Sequence, residues 1–250
     1  MPGAVDPWNL VRARVAQQAH YLRNPLRPTP LVCYVCCGPA NPGWTRCYPC
    51  DQHLRAAQCR AADVVVPISY AIKRAQHAYG LAAYKAAIPS PEIQTNLLNL
   101  LLFFIEDHLG CVARAAHITR WSRVAVVPST RGRSGEHPLR TLLGSRIGLP
   151  WVNFSVNPNI PSDVREFRAD RFSVSDGEVR GAQVLLLDDT WTTGSRIQAG
   201  SYALKLAGAE RVAAVVLGRH ANPEWEGWKP ILRQIKDQPF RLDTCLVHEH

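Results

Sequence analysis

Hydrophobic positions follow a helical rhythm through much of the first half of the chain and gather into short unbroken runs in the second. Asp6-Pro7 has the form of an N-cap followed by proline, and predicts a helix running to about Tyr21. Three prolines within Asn24–Pro30 predict an extended linker, and Asp63–Ser69 is a strand candidate. Tyr70, Ala71, Arg74, Ala78, Leu81 and Tyr84 recur at helical spacing and predict an amphipathic helix over Tyr70–Ala87. Two prolines in Ile88–Pro91 break it, and Leu97–Ala116 predicts another helix.

Beyond residue 120 the pattern alternates. Val124–Val127, Arg171–Val174, Val184–Leu187 and Val212–Leu217 are strand candidates. Pro138–Ile147 and Ser195–Ala207 are helix candidates, the second closed by Gly208. Apolar strands alternating with helices predict an α/β fold with an open, mostly parallel sheet flanked by helices. No internal repeat is visible. The tail Asn222–His250 carries Trp225, Trp228 and one short helix near Ile231–Lys236.

Composition narrows the picture. The chain has 250 residues and is 46% hydrophobic and 20% charged, which suits a folded protein with a real core. A formal net charge of +9 makes the surface attractive to phosphates, nucleic acid or acidic lipid without choosing among them. Met1–Leu10 lacks a basic start followed by an apolar run, so no secretory signal is expected and a cytoplasmic location is. The greasiest run, Leu97–Ile105, is too short to span a bilayer and meets Glu106-Asp107 at once, so a buried helix and no membrane partner are expected.

The segment from Val184 to Ser195 reads VLLLDDTWTTGS. An apolar strand ends in Asp188 and Asp189, at the edge where open sheets bind ligands. Paired carboxylates there accept hydrogen bonds from ribose hydroxyls or help to hold magnesium. Thr190 to Ser195 lead into the next helix, whose first amides are unpaired and whose dipole favours a phosphate. Thr192, Thr193 and Ser195 add hydroxyls, and Gly194 lets the backbone close round the anion. A plain strand–turn–helix joint with an acidic edge is the bland alternative.

Five of the eight cysteines lie between Cys33 and Cys50. Cys33-x2-Cys36 and Cys47-x2-Cys50, ten residues apart, place four thiolates for a tetrahedral structural Zn2+. Turn formers Gly38, Pro39, Pro42 and Gly43 fill the connection. A redox CxxC is the rival reading; Cys37 competes with Cys36 as ligand, and His53 and Cys59 are remoter substitutes.

The twelve residues Val184–Ser195 resemble, position by position, the signature of type I phosphoribosyltransferases. The wider order is similar to the ComF-like branch, in which a small zinc ribbon precedes the transferase domain. It comprises the cysteine module, Lys73-Arg74 and Tyr79-Gly80, the strand VAVVP, and Arg168–Val174. The resemblance covers about Leu31 to Arg219. It implies binding of 5-phosphoribosyl 1-diphosphate with Mg2+. Asp188 and Asp189 would lie on the ribose hydroxyls, and Thr190, Thr192, Thr193, Gly194 and Ser195 on the 5-phosphate. Ser129, Thr130 and Arg131 would lie where diphosphate binds. Asp188, Asp189 and Arg131 would be the catalytic set, with Arg133 as a second candidate for the leaving group. The loop Ser129–Pro138, STRGRSGEHP, departs from the basic, proline- and asparagine-containing stretch of the ComF pattern. Gly148–Asp170 is expected to supply a flexible loop, with Arg165 or Arg168 reaching in.

The expected organisation is a helix and linker over 1–30, a zinc-ribbon module over 31–60, a phosphoribosyltransferase-like domain over 61–221 and a tail over 222–250. Two functions compete. One is an enzyme transferring a phosphoribosyl group to or from a nitrogenous acceptor. The other is a non-catalytic protein that binds a phosphoribosyl ligand or nucleotide and meets nucleic acid or protein, as in DNA uptake or regulation. The resemblance also implies a homodimer as a possible partner arrangement. Cys245, His248 and His250 read as a polar tail in preference to a second metal site. His77 and Tyr79 read as packing residues. Trp191 is expected to pack beside the loop, with stacking on a base as the alternative.

Overall fold

The computed structural model describes residues 6–129, 136–175 and 177–248. Helix α1 (Pro7–Gln18) begins as the sequence predicts, with the Asp6 carboxylate accepting from the Trp8 amide at 3.0 Å. Helix α2 (Tyr48–Ala57) starts inside the second cysteine knuckle. Strand β1 (Val64–Ile72) is longer than expected, and helix α3 (Gln76–Ala83) is correspondingly shorter. The helix expected from Tyr70 fails because its first residues join the sheet: the β1 ladder continues to Ile72 opposite Ala221. The Tyr70 hydroxyl donates to the Cys37 carbonyl at 2.8 Å and accepts from the Leu26 amide at 3.1 Å. A tyrosine can satisfy helical spacing equally well from a strand that buries it.

Helix α4 (Pro91–Ala115) is 25 residues long. An 18-residue stretch of it has mean hydropathy 1.3 and is, by length and composition, long enough to cross a bilayer, unlike the nine-residue run judged by itself. Half of that stretch is buried within the protein. Strand β2 (Arg123–Val126) and helix α5 (Pro138–Leu143) follow, the latter continuing as a 3-10 turn to Ile147. Strand β3 (Trp151–Val152) closes one edge of the sheet. Strands β4 (Ser155–Val156) and β5 (Phe172–Ser173) form a separate antiparallel pair, so the expected strand near residue 172 belongs to this flap and not to the main sheet. Strand β6 (Gln183–Trp191), helix α6 (Ser195–Leu206), strand β7 (Arg211–Ala221) and helix α7 (Lys229–Ile235) complete the described chain.

The main sheet has the order β1-β7-β6-β2-β3, and all four pairings are parallel. Its strands alternate between two cores, as the two-residue pleat requires. Val66, Ile68, Val124, Leu185, Leu187 and Val215 join the core built with α1, α3, α4 and α5. Val65, Ala125, Val184, Leu186 and Val216 join the core built with α6 and Cys33, Cys36 and Cys50. Both faces are therefore covered, which explains the unbroken apolar runs.

Connection order fixes where a ligand fits. From β2 the chain leads outward to β3, and from β6 it leads the other way to β7. The crevice above the carboxyl ends of β2 and β6 is thus a topological switch point, the place where open α/β sheets bind ligands.

Candidate functional site

At that switch point lies a cleft of about 740 Å3. Pro128 and Ser129 border it after β2, and Asp188, Asp189 and Thr190 border it from β6. Thr192, Thr193, Gly194 and Ser195 close it at the start of α6. Of the sequence-predicted site residues, Thr130 and Arg131 lie outside the described residues, as does Arg133. All the other predicted ligand-binding residues line the same cleft.

The two acids are not equivalent. Asp189 is buried and is held by two groups from one segment: the Tyr84 hydroxyl donates at 2.7 Å, and Lys85 forms a salt bridge to the same carboxylate oxygen. Burial would raise its pKa, but the Lys85 charge and these hydrogen bonds prevail and hold it below the usual carboxylate range. Asp188 is pushed up to about 8, first by desolvation and then by the Asp189 charge. It turns one oxygen back to accept from the Asp189 amide at 2.8 Å. The two carboxyls are therefore driven in opposite directions, Asp188 toward holding its proton and Asp189 toward the charged form. Tyr84 and Lys85 were not foreseen as site residues, because nothing near them in sequence marks them as partners of an aspartate more than a hundred residues away.

The turn after β6 is built around a tryptophan. Trp191 is 1% exposed, and Gly194, at φ +86°, closely approaches its ring. A Cβ on residue 194 would come within 2.0 Å of the Trp191 ring carbon Cζ2. Both the left-handed conformation and this close approach require glycine. Trp191 therefore packs beside the loop, as expected, and is not among the residues that line the cleft. The Thr193 hydroxyl makes hydrogen bonds to the Ser195 hydroxyl at 3.3 Å and to the Arg165 carbonyl at 3.2 Å. Arg196 donates to the Ser162 carbonyl at 2.7 Å. Segment 162–165 thus lies against the turn and borders the cleft, as expected for Arg165. Arg168 instead pairs with Asp170 at 3.4 Å. Tyr79, expected to pack, is 66% exposed and lines the cleft, whereas His77 is a packing residue whose Nε2 meets the Leu217 carbonyl at 3.0 Å.

The four knuckle cysteines converge: one sulfur from each of Cys33, Cys36, Cys47 and Cys50 lies within 4.8 Å of all the others. Cys36 and Cys47 sulfurs are 3.8 Å apart. A tetrahedron with metal–sulfur arms of about 2.3 Å has edges of about 3.8 Å, so the donor set fits a metal that takes four thiolates. The Val35 amide donates to the Cys33 sulfur at 3.4 Å. The three neighbouring cysteines, and more weakly Arg219, hold the Cys36 thiol well below its ordinary range. Cys37 points elsewhere, packing with Tyr70, Trp228 and Ile231, and burial pushes its thiol up. Cys36 is therefore the member of the cluster.

Arg219, at the end of β7, ties this cluster to the cleft. It is 7% exposed, and its guanidinium donates to the Cys36 carbonyl at 2.9 Å and to the Cys36 sulfur at 3.4 Å. On its other side it donates to the carbonyls of Trp191 at 3.2 Å and Thr192 at 3.1 Å. Trp228 covers it at 5.1 Å. Sequence reading had no signal for this bridge, since one arginine among many carries no mark of its partners.

No protein-family model matches the chain. No curated protein matches it in sequence. Solved structures that align with it are phosphoribosyltransferases and related proteins at low identity. Adenine phosphoribosyltransferase from Saccharomyces cerevisiae is 12% identical, with 53% of this chain and 70% of that one covered at TM-score 0.35. The enzyme of the same name from Rhodothermus marinus is 18% identical, with 57% and 87% covered at TM-score 0.34. An allosteric regulatory enzyme of purine biosynthesis is 18% identical at TM-score 0.30; 46% of this chain aligns and spans 26% of that enzyme. Overlaps this loose assign no activity.

Proposed function

We propose that this chain is a phosphoribosyltransferase-like protein that binds 5-phosphoribosyl 1-diphosphate in the switch-point cleft. On this reading it transfers the phosphoribosyl group to or from a nitrogenous acceptor. One observation carries the proposal: the acidic pair of β6 and the glycine-cornered turn of α6 open into a single cleft. The turn offers helix-terminal amides and the hydroxyls of Thr192, Thr193 and Ser195 to the 5-phosphate. Asp188 and Asp189 accept from the ribose hydroxyls. Lys73, Arg74, Lys85, Arg165 and Arg196 border the cleft, which suits a ligand of several negative charges.

In the reaction the acceptor nitrogen bonds to the anomeric carbon, the carbon–oxygen bond to diphosphate breaks with its electron pair, and the acceptor loses a proton. Mg2+, bound with the substrate, supplies positive charge for the departing diphosphate. Ser129, Thr130 and Arg131 are assigned to diphosphate, with Arg131 countering the charge that builds on it. The four-cysteine site is assigned to a structural zinc, because four protein thiolates leave no open position.

Calorimetry with 5-phosphoribosyl 1-diphosphate and Mg2+ tests the pocket: saturable binding that is lost in Asp189→Asn is expected, and no heat of binding refutes it. Diphosphate release with a panel of nitrogenous bases tests the transfer. Binding without release by any base would favour the second reading, a non-catalytic ligand-binding protein. That reading draws on the cysteine module, where Tyr34, Trp44 and Tyr48 are 61%, 60% and 75% exposed. Exposed aromatics beside arginines suit stacking on single-stranded nucleic acid or a protein contact. A titration with single-stranded DNA at two salt concentrations separates these, since phosphate contacts weaken with salt.

A further inference from the structure

On the sheet face opposite the cysteine module, the C-terminal segment folds back against α4. Phe240 and Cys245 are buried in the same core as Phe103, Phe104 and Val112. This return brings together two pairs of side chains that the sequence keeps far apart. His108 and Cys111 stand three residues apart on one face of α4, and Cys245 and His248 stand three apart in the tail. One nitrogen from each histidine and the sulfur of each cysteine all lie within 4.8 Å of one another. Cys111 sulfur and His248 Nδ1 are 3.5 Å apart.

The histidine of the helix makes this more than a crowded polar corner. His108 is 3% exposed, and its Nε2 meets the Leu242 carbonyl at 2.8 Å. A carbonyl only accepts, so Nε2 carries the proton and Nδ1 carries the lone pair. His108 Nδ1 is buried with no hydrogen-bond partner. An unmatched buried acceptor is costly, and a metal ion would satisfy it. A backbone carbonyl holding the far nitrogen is also the arrangement that orients a metal-binding imidazole.

From this geometry we infer that His108, Cys111, Cys245 and His248 form a second metal site, which takes zinc. Two thiolates and two imidazoles at tetrahedral reach are a donor set that zinc prefers among abundant divalent ions. On binding, the two thiols release their protons, and the lone pairs of two sulfurs and two nitrogens fill the coordination shell. No position is left open, so the ion is structural: it staples the tail to α4. Arg114 donates to the Cys111 sulfur at 3.4 Å, and Arg27 of the linker donates to the His248 carbonyl. The staple thus gathers the linker, the core helix and the tail. It stands whether or not the cleft binds a phosphoribosyl ligand.

Elemental analysis of the full chain, purified without chelator, tests the site. About two zinc ions per chain are expected, falling to about one in His248→Ala, whose partly exposed side chain is removed without emptying the core. X-ray absorption on the wild-type protein needs no variant: it should show zinc bound by sulfur at about 2.3 Å with a clear nitrogen contribution at about 2.0 Å. Limited proteolysis should release the tail faster in His248→Ala. One zinc per chain with an all-sulfur shell, unchanged in His248→Ala, would overturn the inference. So would a Cys111–Cys245 disulfide found by mass spectrometry of the alkylated, unreduced protein.

Discussion

At the scale of single residues, the acidic pair makes the sharpest prediction. Asp188 is raised to about 8 from an ordinary value near 4. Between those values the unfolded chain gives up this proton and the folded chain keeps it, so folding loses stability as pH rises through that window. Asp188→Asn removes the titration. In urea melts of the ligand-free protein, the variant should gain on the wild type from pH 5 to pH 8, while losing affinity for phosphoribosyl diphosphate. Parallel pH profiles for the two proteins would contradict this account. On the proposed reading the ligand should bind better as pH rises toward 8, because an ionised Asp188 would accept from the ribose where a protonated one must first turn or lose its proton. Gly194 gives a second residue-level test. Gly194→Ala adds strain of about 1–3 kcal/mol for the left-handed backbone and forces the methyl into Trp191. A lowered melting temperature and at least a tenfold loss of ligand affinity, read by calorimetry, are expected.

At the scale of elements, β6, α6 and β7 act as one unit held from behind by Arg219. This guanidinium accounts for the carbonyls of Trp191 and Thr192, which shape the turn facing the cleft, and for the carbonyl of Cys36. Arg219→Met leaves those acceptors without their donor, at a cost of about 3 kcal/mol. Denaturant melts should show the loss, and calorimetry should show weaker phosphoribosyl diphosphate binding by a protein that still holds metal at its four-cysteine site. Unchanged binding would mean that the turn keeps its shape without the bridge. Element boundaries also show where helical periodicity misleads. Tyr70 and Ala71 fit a helix by spacing and are strand residues, because the β7 partner continues opposite them to Ala221. Likewise β6 runs past its apolar run through both acids to Trp191, paired with β7 as far as Arg219. The carboxylates are fixed on a sheet edge and not carried on a loose turn.

For the whole molecule, the cysteine cluster is part of the core and not an appendage. Cys33, Cys36 and Cys50 are buried with Val65, Val184 and Val216 of the sheet. Loss of an ion from the proposed four-thiolate site would therefore loosen the sheet face and, through Arg219, the turn after β6. Cys47→Ser is expected to lose its ion, melt at lower temperature and bind phosphoribosyl diphosphate more weakly. A variant that lost the ion yet kept both stability and affinity would show that the module packs without it.

Read alone, the sequence determined the features that neighbouring residues make together. The strand–acid–glycine segment, the two CxxC knuckles, the capped first helix and the α/β alternation all depend on contacts within a few turns of chain. Backbone sterics and side-chain periodicity already act at that range. Tertiary structure alone decided that Lys85 and Tyr84 would charge and fix Asp189, that Arg219 would join a cysteine to the turn after β6, and that a tail histidine and cysteine would meet a pair on α4. Those partners are more than a hundred residues apart in the first case and in the last, and 183 in the link from Arg219 to Cys36. No local preference marks such a pairing, because its energy exists only once the sheet has brought distant segments together and excluded water from between them.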